Sequence, residues 1–203
     1  MRICRIVLIA GVLASPAVAH AQTPPKVLSC EGVFAKDSTH ARVVKTFGAR
    51  NVRYMDVVEA EGEKTKATVV FSGDRKRRLE FHWRESKARR IPEVRIWSDE
   101  STWKTAQGIA MGASLERIVE LNGKPFDLAG FGWDYGGISK GFAGGKLETL
   151  PGGCWLSLGF SASTGAPDEA YSKVTGDETF SSDDPNMRAV KPKVTTITIG
   201  WGE

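Results

Sequence analysis

The strongest constraint on this chain is where its cysteines fall relative to its first 21 residues. Arg2 and Arg5 precede an apolar run from Ile6 to Val18, and Ala19-His20-Ala21 closes it with the A-x-A pattern that signal peptidases cut. Cleavage after Ala21 removes Cys4 and leaves Cys30 and Cys154. In the oxidising compartment that such a signal implies, periplasmic or secreted, an even pair is expected to form a disulfide. That bridge closes a loop of over a hundred residues, worth roughly 4 to 5 kcal/mol in the chain-entropy model, and ties the first mature segment to a late strand. Two alternatives stand beside it. One is a pair of buried free thiols, since cysteine is among the residues most often buried. The other is a lipoprotein acylated at Cys30 after Val27-Leu28-Ser29, against which Pro24-Pro25-Lys26 interrupts the apolar segment.

Of the 203 residues, 182 remain after cleavage, a length that suits one ordinary domain or two small units sharing a core. The 26 remaining Lys and Arg face 24 Asp and Glu, a net charge of about +2 that is too mild for a nucleic-acid partner. No later stretch approaches the roughly 20 apolar residues of a membrane helix, so the mature chain is not expected to span a membrane. The predicted layout is a flexible lead-in at 22–29, a first unit at 30–100, and a second at 101–203 carrying an insertion at 161–193.

In the first unit Asp37 is placed to cap a helix from about Ser38 to Phe47, with Val43, Val44 and Phe47 on its apolar stripe and Gly48 as its stop. Strands follow at Val52 to Val58, Ala67 to Phe71 and Arg78 to Trp83, the last alternating cleanly with Leu79, Phe81 and Trp83 on an apolar face and Arg78, Glu80 and His82 on a polar one, and Ser72-Gly73-Asp74 makes a turn. Pro92 opens a further alternating run, a position a ladder tolerates.

The second half repeats the order. Ser114 caps a helix carrying Leu115, Ile118 and Val119, and Asn122-Gly123 ends it. Strands are predicted at Phe126 to Tyr135, with a bulge near Gly130, at Lys146 to Leu150 and at Cys154 to Phe160. Gly136 to Lys146 reads as a mobile glycine-rich connection. A shift of 75 residues superposes Gly48 on Gly123 and the helical stripes on each other, the pattern of an internal duplication. Ser161 to Lys193 breaks the correspondence, with a weak helix near Asp168 to Lys173, and Val194 to Trp201 closes the chain as a half-buried strand. The fold class expected is α+β: two helix-plus-antiparallel-sheet units sharing one core.

The run GIAMGASLERIVELNGKPFDLAGFGWDYGG from Gly108 to Gly137 resembles the signature GxSLxxIxxLNGKPFxLxGFGWDYGG of an uncharacterised family of exported bacterial proteins. FGARNV at 47–52, RRLEFHW at 77–83 and KLETLPGGC at 146–154 support the resemblance. It implies export and no particular activity. More loosely, helix then antiparallel sheet, twice, is similar to the β-lactamase-inhibitor-protein-like architecture that small outer-membrane assembly lipoproteins share. That similarity implies a protein-binding role.

Trp133, Asp134 and Tyr135, followed by Gly136-Gly137, combine aromatic bodies, a carboxylate and a flexible turn, the ingredients of a recognition surface. The competing reading makes them core and turn residues. Arg75 and Arg77, with Lys76, Arg78, Lys87, Arg89 and Arg90, form a basic patch suited to an anionic protein, glycan or lipopolysaccharide, or simply to protecting a sheet edge. His40 and His82 lack cysteine or carboxylate partners at ligand spacing, so neither a metal nor any other cofactor is expected. Ser157 and Ser161 lack a nucleophile-elbow context, and Glu80, Asp127 and Asp134 cannot be paired from sequence, so no catalytic residue is assigned. The leading expectation is a non-enzymatic binding module for a protein or envelope component. The alternatives are a hydrolase-like enzyme with a carboxylate site near Asp134 and a purely structural envelope protein.

Overall fold

The computed structural model describes residues 26–85 and 90–202. The expected export signal, residues 22–25 of the lead-in, Lys87 and Arg89 therefore lie outside the described residues, whereas the end of the lead-in is not flexible: Val27 and Leu28 pair with Lys104 and Thr105, and Leu28 is buried. The protein is α+β, with four α-helices and ten strands among the described residues, paired mostly antiparallel. In chain order these are β1 (Val27–Leu28), α1 (His40–Phe47), β2 (Val52–Val58), β3 (Lys64–Val70), β4 (Leu79–Glu85), β5 (Arg90–Ile96) and β6 (Lys104–Thr105). There follow α2 (Leu115–Asn122), β7 (Asp127–Ala129), β8 (Trp155–Ser161), α3 (Asp168–Ser172), β9 (Thr179–Ser181), α4 (Pro185–Ala189) and β10 (Lys193–Gly200).

The alternating runs of the first unit become the meander β2-β3-β4-β5, and β10 then β8 extend it to one six-stranded sheet. Two details differ from expectation. Helix α1 is capped by Thr39, not Asp37: Thr39 is extended and its Oγ1 accepts from the Arg42 amide at 3.2 Å. Asp37 pairs with the Arg42 guanidinium instead, at 2.7 Å. Pro92 is the third residue of β5, not its first, and faces Trp83. It lies outside the Val94 to Ile96 stretch that pairs with β10, so its missing N–H takes no bond from that ladder.

Helix α2 forms as predicted, with Ser114 Oγ accepting from the Arg117 amide and Gly123 left-handed at its end. The long aromatic strand after it does not form. Only Asp127 to Ala129 pair, and with β9. In place of a bulge at Gly130 the strand stops there, and the chain passes so close to the Gly176 carbonyl that a Cβ on residue 130 would lie 2.4 Å from it. Phe131 then bonds Val174 and Gly176, outside the large sheet. Lys146 to Leu150 is likewise not a strand. Buried Asn122 takes its amides, the main-chain oxygen accepting from Lys146 and Oδ1 from Leu147. The Gly136 to Lys146 connection is packed, not loose: Phe142 is buried with its ring 5.0 Å from Phe126.

One core holds the molecule together. Leu79, Phe81, Val94, Ile96, Leu158 and Ile197 line one face of the sheet and meet Val43 and Phe47 of α1 and Leu115 and Ile118 of α2. The segment 161–193 joins the same core through Ala170, Val174, Met187 and Val190. Cys30 and Cys154 are disulfide-bonded, their Cα atoms 5.5 Å apart.

Candidate functional site

All four helices bury their apolar residues in that core, which leaves the opposite face of the sheet to the strands themselves. Strand register assembles it. Glu80 stands opposite Arg95, Arg95 opposite Thr198, and Thr198 opposite Ser157, a polar row across β4, β5, β10 and β8. On β2 and β3 the same face carries a small apolar cluster, Met55, Val57, Ala67 and Val69. Over the polar row lies a cleft of about 830 Å³, within the usual size of ligand sites.

An ionic chain runs along the β4 and β5 side of this cleft. Arg78 pairs with Glu80 at 2.6 Å, and the other Glu80 oxygen meets His82 Nε2 at 3.2 Å. His82 Nδ1 faces Glu59 at 2.9 Å, Glu59 pairs with Arg95 at 2.6 Å, and Arg95 with Glu93 at 3.2 Å. Both ring nitrogens of His82 thus face carboxylates. Glu80 is only 3% exposed. Burial pushes its carboxyl up, but hydrogen bonds from His82, Trp97 and Arg78 outweigh that and hold it at about 2, against an ordinary 4.5. Burial also opposes the charge on Arg95, and Glu59 and Glu93 more than offset it, so its pKa is raised. These groups are locked into one another, and Glu80 is ill-suited to moving protons near neutral pH.

Trp97 and Tyr135 stand over the cleft, 53% and 45% exposed, and Trp155 lines it from β8. Trp97 donates to Glu80 at 2.9 Å and carries the Arg78 guanidinium 5.5 Å from its ring centre. The loop that presents Tyr135 is fixed by backbone geometry. Gly137 has φ +71°, and a Cβ there would sit 2.1 Å from the Phe160 carbonyl, so only glycine allows the loop to bond β8 through Phe160 N at 2.9 Å. Trp133 donates to the Gly130 carbonyl at 2.9 Å and meets Tyr135 edge to face at 5.6 Å.

Of the residues singled out in the sequence, Trp133, Asp134 and Tyr135 are brought together at the surface. Trp133 is 39% exposed, and Asp134 lies on the ridge between the cleft and a neighbouring depression lined by Trp133 and Tyr171. Asp134 makes no hydrogen bond or ion pair to a described residue. Arg75 and Arg77 are elsewhere and already paired, Arg75 with Asp99 and Glu100 and Arg77 with Asp74, each at 2.6 Å. Arg90 pairs with Glu85 at 2.8 Å. His40 is at the start of α1, bonded to Thr68 at 2.8 Å. Among the described residues no group of three His, Cys, Asp or Glu side chains is arranged to hold a metal ion.

The ionic chain itself escaped sequence reasoning, which placed His82 on a merely polar face. A signal was present: Arg78, Glu80 and His82 alternate on one strand, Glu93 and Arg95 on the next, with opposite charges meeting across the pair. Glu59 gave none, because its approach depends on how the chain leaves β2. Compared with known proteins, the chain matches no family model, no curated protein and no solved structure.

Proposed function

We propose that this is an exported, non-enzymatic binding protein of the periplasm or cell exterior that recognises a protein or envelope component through the sheet cleft and the Trp133 to Tyr135 loop. The observation that carries this reading is the loop: two aromatic side chains and an unpaired carboxylate are held exposed by glycines whose substitution the backbone does not allow. Exposed aromatics on a rigid frame bind at low entropic cost. The disulfide fits an oxidising compartment, and no described helix is long and apolar enough to cross a membrane. We also read the Gly108 to Gly137 run as membership of the exported family it resembles, and the basic patch as secondary, since Arg75 and Arg77 are already neutralised.

A hydrolase-like site at Asp134 is the competing reading, and a purely structural envelope role the third. Glu59, Glu80 and Glu93 are all paired, so none of them is free to serve Asp134 as a second acid or base, which favours binding over catalysis. The test is crosslinking pull-down from the native envelope with wild type against Trp133→Ala. Loss of a specific partner by a variant with unchanged melting temperature is the expected outcome. Identical capture by both proteins would remove the loop from recognition.

A further inference from the structure

We propose that the ligand of this cleft is an uncharged pyranose oligosaccharide, seated on the Trp97, Trp155 and Tyr135 rings and hydrogen-bonded by Ser157, Thr198 and Asp134. The proposal rests on the reading of the cleft as a binding site and adds the chemistry of what fills it.

Charge comes first. Of the charged groups lining the cleft, Arg78, Glu80, Glu59, Arg95 and Glu93 are each committed to a neighbour in the ionic chain, and Asp56 is paired with Lys66. An anionic ligand finds no spare cation there, and it would also meet the unpaired Asp134 on the rim. Breaking a buried pair to recruit one member would strand its partner, a costly exchange. A neutral ligand incurs no such cost.

Hydrogen-bonding capacity comes second. The Ser157 and Thr198 hydroxyls face the cleft and have no partner among the described residues. A hydroxyl donates and accepts at once, as sugar hydroxyls do, and a carboxylate such as Asp134 accepts from two neighbouring sugar hydroxyls. These groups tell against a purely apolar occupant, which would leave them unsatisfied. A peptide is also disfavoured. The cleft lies over the face of the sheet, where β5 and β10 are each paired on both sides, whereas an added peptide strand needs an edge.

The rings come third. Trp155 stands opposite Gly200 and lies across it, since a Cβ on Gly200 would be 2.3 Å from the indole. The missing side chain lets the ring lie flat on the sheet with its outer face toward the cleft. Trp97 is oriented by Glu80 and Arg78, and Tyr135 by Trp133. Three pre-set rings around unpaired hydroxyls match the alternating C–H faces and hydroxyl rims of pyranose rings.

The experiment titrates the exported, disulfide-bonded protein with maltotriose, cellotriose, chitotriose and the anionic trigalacturonate, followed by calorimetry. At least one neutral trisaccharide should bind, and more tightly than trigalacturonate. Tyr135→Ala, at an exposed position, should weaken binding about tenfold, the equivalent of about 1.4 kcal/mol, and Trp97→Ala should do so wherever it remains folded. No binding of any neutral trisaccharide at millimolar concentration, or preference for the anion, would overturn the proposal. The broader reading fails separately. A partner lost only by Trp133→Ala, with no sugar bound, would refute the ligand class and leave the binding protein standing. Cleavage of a bound trisaccharide would support the ligand class and refute the non-enzymatic role.

Discussion

Glu80 shows how much one side chain can contribute when its neighbours are fixed. Its folded-state pKa lies below its unfolded value, so its contribution is present above about pH 4.5 and is lost as pH falls from 4.5 towards 2. At about 1.4 kcal/mol per tenfold change in the proton equilibrium, that contribution is about 3 kcal/mol. Urea midpoints measured from pH 6 to pH 2 should therefore fall more steeply for wild type than for Glu80→Gln, which should be less stable by about 2 to 4 kcal/mol at pH 7. Parallel curves would place the pH dependence elsewhere. At Gly137 the argument is steric, since a methyl group would meet the Phe160 carbonyl in a left-handed backbone. Gly137→Ala should cost about 3 kcal/mol or more by chemical denaturation, and a change below about 1 kcal/mol would contradict the loop geometry. Side-chain direction at this scale was only partly legible. Alternation placed Leu79 and Phe81 in the core correctly, but could not say that Trp133 and Tyr135 point outward, because no ladder carries them.

Elements were legible where local chemistry decides them. Gly48 and Gly123 ended both long helices as their sequence positions indicated, whereas the first cap moved from Asp37 to Thr39 because Asp37 has Arg42 within reach. The run from Phe126 to Tyr135 does not form a single strand, and its path follows close approaches of Gly130 to Gly176 and of Gly137 to Phe160, segments distant in sequence that no local pattern announces. The disulfide belongs to this scale as well, since it clips β8 to the segment before α1 across a separation of 124 residues. Reduction should lower stability by about 5 kcal/mol in the chain-entropy model, and equal urea midpoints with and without reductant would refute that role. Thiol counting on the unfolded, unreduced protein should find no reactive thiol in the mature chain.

For the whole molecule, the fold class was readable from composition and pattern, while the path of the sheet was not. Alternation identifies strands without naming their neighbours, and the placement of β10 between β5 and β8 is a long-range pairing that no local signal announces. If export proceeds as the first residues indicate, N-terminal sequencing of the secreted protein should begin at Gln22, and a start elsewhere would refute cleavage after Ala21; acylation of Cys30 is ruled out by its bond to Cys154. The position of β10 has a temporal meaning. The meander β2 to β5 and strand β8 do not pair with each other in the large sheet; each pairs with β10, which is made after both. A chain ending at Pro192 should therefore lack cooperative unfolding and near-ultraviolet dichroism. Until β10 arrives the meander and β8 share no strand, so the joining of the two halves of the sheet waits for the last strand of the chain to be made.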